Sequence, residues 1–167
     1  MKNVSVKNFS NCENIFYACK STLADSIIIQ DCIFNNIRNG FVLSDEKDNK
    51  GYYNVEKIRV TNNQFINGDG VLLDLYRGGS DESTLGPNLA FSANTINNYN
   101  STNNDALIQL TGVQKTRITG NVFKNSNASK PLIIYKDNVR ASHYLSHNTF
   151  IHSGSLLKNN FVTEGEN

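Results

Sequence analysis

The sequence predicts an all-β protein, a parallel β-helix of about six rungs with an asparagine ladder, and three observations predict it. A phrase of the form N-x-F-x-N returns along the chain, an apolar column travels with it, and one corner of the repeat is repeatedly Asn. Asparagine supplies 27 of the 167 residues. Such a bias marks either disorder or a repeat. Here the Asn residues alternate with regularly spaced Val, Ile, Leu and Phe instead of gathering into polar tracts, so disorder is the poorer reading.

The repeated phrases are VSVKNFSN, IIQDCIFNN, IRVTNNQFIN, LAFSANTINN, RITGNVFKN and YLSHNTFIH, anchored at Phe9, Phe34, Phe65, Ile96, Phe123 and Phe150. Successive anchors are 25, 31, 31, 27 and 27 residues apart. The strand-like phrase is constant and the length variation falls between phrases, as in a solenoid with variable loops. Five positions before each anchor stands Val4, Ile29, Val60, Phe91, Ile118 or Leu145, always apolar, which predicts an inward column. Two positions before it stand Lys7, Cys32, Asn63, Asn94, Asn121 and Asn148. Asn side chains stacked at a strand spacing of about 4.8 Å can bond amide to amide and to the turn backbone. A second apolar strand follows in each rung, as GFVLS, GVLLD, DALIQ, KPLII and GSLLK. No amphipathic helix separates the strands, which argues against a βαβ fold. A β-sandwich needs hairpins and gives no reason for a ladder of one residue type.

Length predicts one domain over residues 1–167, enough for a real core and too short for two ordinary ones. Sixteen basic against fifteen acidic residues leave a net charge of +1, so no basic surplus points to nucleic acid. No apolar run is long enough for a membrane helix. The three cysteines, Cys12, Cys19 and Cys32, are odd in number and lack His neighbours at metal spacing, so they read as small buried apolar residues. The chain enters a rung by residue 4 without space for a cap, which reads as the C-terminal part of a longer β-helix, with the N-terminal rungs of the parent chain as partner. An exposed first rung also predicts an end-to-end homodimer of the isolated segment. The polar tail FVTEGEN is expected to fray.

Stacking turns sequence offsets into surface strips. Ser44, Asp74, Gln109, Ile134 and Lys158 align as one outward row, followed by Glu46, Tyr76, Thr111 and Lys136, and then by Lys47, Arg77, Gly112 and Asp137. Before the anchors, Arg59, Ala90, Arg117 and Tyr144 form another row, with two guanidiniums two rungs apart around a small residue. That arrangement suits an acidic sugar chain, and a solvated face of ordinary charges is its alternative. His143 falls in the inward column of Ile27, Ile58, Leu89 and Thr116, whereas His147 and His152 take corner positions. In DLYRGGSDESTLGP, Asp74 to Pro87, an acidic cluster follows a Gly pair. Calcium ligation is one reading of it, and a loop pinned by Arg77 to Asp81 or Glu82 is the other.

The run GVLLDLYRGGSDESTLGPNLAFSANTINN resembles a stretch of the polysaccharide lyases that include chondroitinase B and the alginate (polymannuronate) lyases. The resemblance implies a right-handed β-helix, export to the periplasm or outside, and β-elimination on a uronate-containing polysaccharide, with Ca2+ in the full-length enzyme. In that reaction a cation neutralises the sugar carboxylate, a base takes the adjacent proton and an acid protonates the leaving oxygen. The family's lysine and arginine phrases do not occur in this chain, so no catalytic residue, calcium ligand or other cofactor site is carried onto it. The expectation is a non-catalytic C-terminal segment of a uronate-polymer lyase, with Tyr76, Arg77, Arg59, Arg117 and Lys136 as candidate contacts to an acidic polysaccharide. A structural or adhesive β-helix module without a sugar site is the competing reading, and autonomous catalysis is a third.

Overall fold

The computed structural model describes residues 1–45, 52–78, 86–136, 142–155 and 162–164, the side chains of 8–12 and 162–164 excepted. The repeat becomes a parallel β-solenoid with no helix among the described residues. One face is a six-stranded parallel sheet of β2 (Ala24–Gln30), β4 (Val55–Thr61), β7 (Asn88–Ser92), β10 (Lys115–Thr119), β13 (Ser142–Ser146) and β15 (Val162–Glu164). The chain then bends into a nine-stranded sheet that wraps the other two faces. Its second face holds the first half of β3 (Ile33–Leu43) with β5 (Gln64–Gly68), β8 (Thr95–Tyr99), β11 (Val122–Lys124) and β14 (Thr149–Ile151). The third face holds the second half of β3 with β6 (Leu73–Tyr76), β9 (Ile108–Thr111) and β12 (Ile133–Lys136). The long β1 (Ser5–Tyr17) runs beside β3 across both.

The anchors stack as their spacing predicts from the second onward. Phe34, Phe65, Ile96, Phe123 and Phe150 are register partners in series, and so are Ile29, Val60, Phe91, Ile118 and Leu145. Phe34 and Phe65 stack face to face with centroids 5.1 Å apart, and Phe123 and Phe150 at 5.6 Å. These rings and the Leu and Ile of the third face fill the bore and supply most of the burial that holds the turns together.

The corner between the first and second faces explains the asparagine. In each turn one residue takes a left-handed conformation, Asp31, Asn62, Ala93, Gly120 and His147, with φ between 54° and 65°. The residue after it from the second of these turns on is the ladder Asn. Asn63, Asn94 and Asn121 each donate one Nδ2 hydrogen to the Oδ1 of the Asn in the next turn, at 3.0, 3.0 and 2.9 Å. Each donates the other to a strand carbonyl, of Ile29, Val60 and Phe91. Each Oδ1 also accepts the backbone N–H of the corner below, beginning with Cys32. A second left-handed column, Asn36, Asn67, Asn98, Asn125 and His152, turns the chain after the anchors. His147 and His152 therefore stand at corners, as their positions in the repeat predict.

Five expectations are corrected, the last of them the burial of Cys19. The solenoid has four complete turns, beginning with β2, β4, β7 and β10, with a partial turn at each end, against the six expected rungs. In the first partial turn Val6, not Phe9, faces Phe34, and Val4 with Lys7 leaves its predicted column, because β1 shifts register between Phe9 and Asn14. Val42 occupies the place expected for Ser44 beside Asp74, since it stands eight positions after its anchor Phe34 on the unbroken β3, whereas Asp74 stands nine after Phe65 in the next turn. In the tail, Val162–Glu164 pair with β13 as a sixth strand, so these three residues do not fray: the edge of β13 offers unpaired backbone groups that they satisfy. Of the cysteines, Cys32 is buried, Cys19 is exposed, both are free thiols, and the side chain of Cys12 lies outside the described residues.

Candidate functional site

Alternation along the first sheet decides which side chains reach solvent. Ile27, Ile58, Leu89, Thr116 and His143 point inward in register, and so do Ile29, Val60, Phe91, Ile118 and Leu145. The residues between them face out. One outer row is Ile28, Arg59, Ala90, Arg117, Tyr144, and the row beside it is Ser26, Lys57, Asn88, Lys115, Ser142. Lysine and arginine therefore stand side by side on β4 and again on β10, while the intervening strand β7 offers only Asn88 and Ala90. With strands about 4.8 Å apart, the two cationic pairs lie roughly 10 Å apart across a low floor.

That floor is a groove of about 410 Å3, and no Asp or Glu among the described residues lines it. Its cations are not tied down by buried partners. Lys57 meets Glu56 at 3.1 Å in an exposed pair that contributes little to stability. The Arg117 guanidinium lies over the Tyr144 ring, 5.3 Å from its centroid, an aromatic contact that orients its plane and leaves its N–H groups outward. Four cations facing a small neutral floor make a site for a polyanion whose charges repeat along its length.

The structure thus brings Arg59 and Arg117 together as predicted and sets the other candidates elsewhere. Tyr76 and Lys136 lie on the third face, in register with Thr111 between them. Lys136 Nζ is 2.9 Å from Asp105 Oδ2. Arg77 is only 4% exposed, with its guanidinium 5.8 Å from the centroid of Tyr53 and its backbone N–H donated to Thr111. The proposed partners Asp81 and Glu82, the calcium reading of that cluster, and Glu46, Lys47, Asp137 and Lys158 fall outside the described residues. Among the described residues no group of three or more His, Cys, Asp or Glu could hold a metal ion. His143 is enclosed in the bore at 1% exposure, its Nδ1 2.9 Å from Thr116 Oγ1, and burial pushes its pKa down to about 4. It has no route to a surface substrate.

Sequence reasoning placed neither Lys57 nor Lys115 in the binding row. The signal was present: K-I-R at 57–59 and K-T-R at 115–117 repeat one Lys-x-Arg phrase at the same place in two turns.

No family model and no curated protein matches the chain. Solved structures do. The PL6 family alginate lyase AlyGC superposes with a TM-score of 0.79 at 28% identity, over 99% of this chain and 24% of that one. An arginine-to-alanine mutant of the same enzyme gives a TM-score of 0.75 at 27% identity, over 96% and 22%. The chain thus spans under a quarter of the enzyme it matches. No helix of the described residues is long and apolar enough to cross a membrane. Over nearly its whole length, this chain is a polysaccharide-lyase-like parallel β-helix, similar to part of a PL6 alginate lyase.

Proposed function

We propose that this chain is the non-catalytic β-helix segment of a lyase acting outside the cytoplasm on a uronate polymer such as alginate, and that it holds the acidic polysaccharide on the outer face of its first sheet. The observation that carries the reading is the double Lys-x-Arg pair, Lys57 with Arg59 and Lys115 with Arg117, around the neutral floor of Asn88 and Ala90. Sugar carboxylates lying on that floor are met from both sides by fixed cations, and Tyr144 gives one of them a stacking partner. The similarity to an alginate lyase supports a uronate as the anion.

β-Elimination also needs a proton acceptor and a proton donor at the sugar. On the first sheet the only imidazole is that of His143, enclosed in the bore, so in this reading acid and base come from other rungs of the parent enzyme. Tyr76 and Lys136, on the third face, are outer contacts at most. Arg77 is buried against Tyr53, so this reading gives it no sugar contact.

Titration of mannuronate and guluronate hexamers into the wild-type chain and the K115A/R117A double variant tests the site. The variant is expected to lose about tenfold or more in affinity, with the wild-type affinity falling as salt rises and the melting temperature unchanged. Equal affinity for both proteins overturns the site, and turnover of alginate by the wild-type chain overturns its non-catalytic role.

A further inference from the structure

We propose that the hollow where β1, β3 and β6 meet is a second saccharide groove, which takes an uncharged, hydroxyl-rich glycan and not a uronate polymer. It lies on the nine-stranded sheet and does not depend on the basic face. Its volume is about 810 Å3, within the range of small-molecule and oligosaccharide clefts.

Among the described residues its charge is opposite to that of the basic groove: Glu13, Asp69 and Asp74 line it with Arg38. A uronate entering it meets like charge. A neutral sugar meets acceptors for its hydroxyl protons in these carboxylates and amide groups for its oxygens in Asn14, Asn103 and Asn104. Tyr17 supplies the remaining element of sugar recognition, a flat ring 47% exposed at the rim. The Asp45 carboxylate close to its hydroxyl raises its pKa, so the ring stays neutral.

The groove is built before any ligand arrives. Asn39 forms its floor by donating Nδ2 to Asn14 Oδ1 at 3.1 Å, while its Oδ1 accepts the N–H of Val71 at 3.0 Å. Gly70 passes so close beneath that a Cβ there would collide with Asn39 Oδ1, and its N–H is donated to the carbonyl of Arg38. The upper wall is the loop bearing Asn103 and Asn104. Lys130 pins it by donating from Nζ to the carbonyls of Ser101, Thr102 and Asn104 at 2.9, 2.7 and 2.9 Å. A groove rigid on both sides requires little ordering on binding, which favours a ligand held only by hydrogen bonds and one aromatic face.

Calorimetric titration with mannohexaose, cellohexaose, laminarihexaose, a glucosamine hexamer and a mannuronate hexamer tests the assignment. At least one neutral hexaose is expected to bind wild type. Tyr17→Ala and the isosteric, surface-exposed Asp69→Asn are each expected to weaken that binding about tenfold without changing the melting temperature, while K115A/R117A leaves it unchanged. The inference is overturned if no neutral hexaose binds, if only the glucosamine hexamer binds, if both groove substitutions leave affinity as it was, or if the basic-face variant abolishes it. Asp69→Asn keeps the test decisive should Tyr17→Ala fail to fold.

Discussion

In this solenoid the asparagine ladder and a smaller buried polar cluster are satisfied to different degrees. In the ladder of Asn63, Asn94, Asn121 and Asn148, every amide has a partner in the turn above, the turn below or the strand carbonyl beside it. Near the C-terminal end, Thr116, Tyr135 and His143 form a smaller cluster. Thr116 Oγ1 lies 2.9 Å from His143 Nδ1 and 3.2 Å from Tyr135 Oη, and the Tyr135 and His143 rings are 4.2 Å apart. There the accounting does not close. His143 Nε2 is buried with no hydrogen-bond partner among the described residues. The ladder repeats one residue type at one pitch, so each surplus donor meets the next acceptor. The cluster replaces an apolar column, Ile27, Ile58, Leu89, for only two turns, and the residue paired beyond the second of them is Val162.

Breaking the ladder at its centre should have the largest effect. Asn121→Ala strips partners from Phe91 O, from the N–H and Nδ2 of Asn94, and from Asn148 Oδ1, all in the dry interior. Several unsatisfied buried groups at about 1–3 kcal/mol each, partly relieved by water, give an expected loss of about 3–5 kcal/mol in urea denaturation. Asn98→Ala is the control. Asn98 also bonds to the Asn of the preceding turn, Asn67, at 2.9 Å, but on the exposed surface, where water replaces the lost partner. If the two substitutions cost the same, burial does not distinguish the columns and the contrast fails.

The cluster breaks differently, through protons. His143 titrates near pH 4 in the folded chain and near 6.5 when unfolded, so between those values the unfolded state holds the extra proton. Stability from the neutral imidazole is therefore full above about pH 6.5 and drains away as pH falls toward 4. His143→Leu puts an apolar side chain back in the column. The expected outcome is a melting temperature that declines less between pH 6.5 and 4 than wild type, with near equality at pH 8. Parallel declines in the two proteins would show that the imidazole is not the group being protonated.

How much of this could be read from the sequence follows the same division. The ladder, the Phe stack and the inward column were legible because each is a property of one repeated position, and a 27- or 31-residue step preserves it. The Arg59 and Arg117 row was legible for that reason too. The first turn was not, because a register shift inside β1 moves Phe9 three residues away from the stack it resembles. The second groove was equally hidden. Its floor joins Asn14, Asn39 and Gly70 through single contacts between turns of unequal length, and its upper wall depends on Lys130, a residue distant in sequence whose role is to gather three carbonyls. Nor does any pattern announce the burial of Arg77, which follows from Tyr53 folding over it from the previous loop.

The smallest effect is expected at Tyr135. Tyr135 is a ring first and a hydroxyl second within the cluster: its face packs on His143, and burial pushes its pKa up to about 12, so it stays neutral at every working pH. Tyr135→Phe keeps the ring and removes one 3.2 Å contact to Thr116, whose hydroxyl retains His143 as a partner. The loss should be about 0.5–1.5 kcal/mol, the net worth of one neutral hydrogen bond, several times less than at Asn121. The acid limb should keep its wild-type shape, since the imidazole remains as buried as before. A loss as large as that of Asn121→Ala would mean that the three side chains act as a cooperative network like the ladder, and that the unpartnered Nε2 is not the weak point of the cluster.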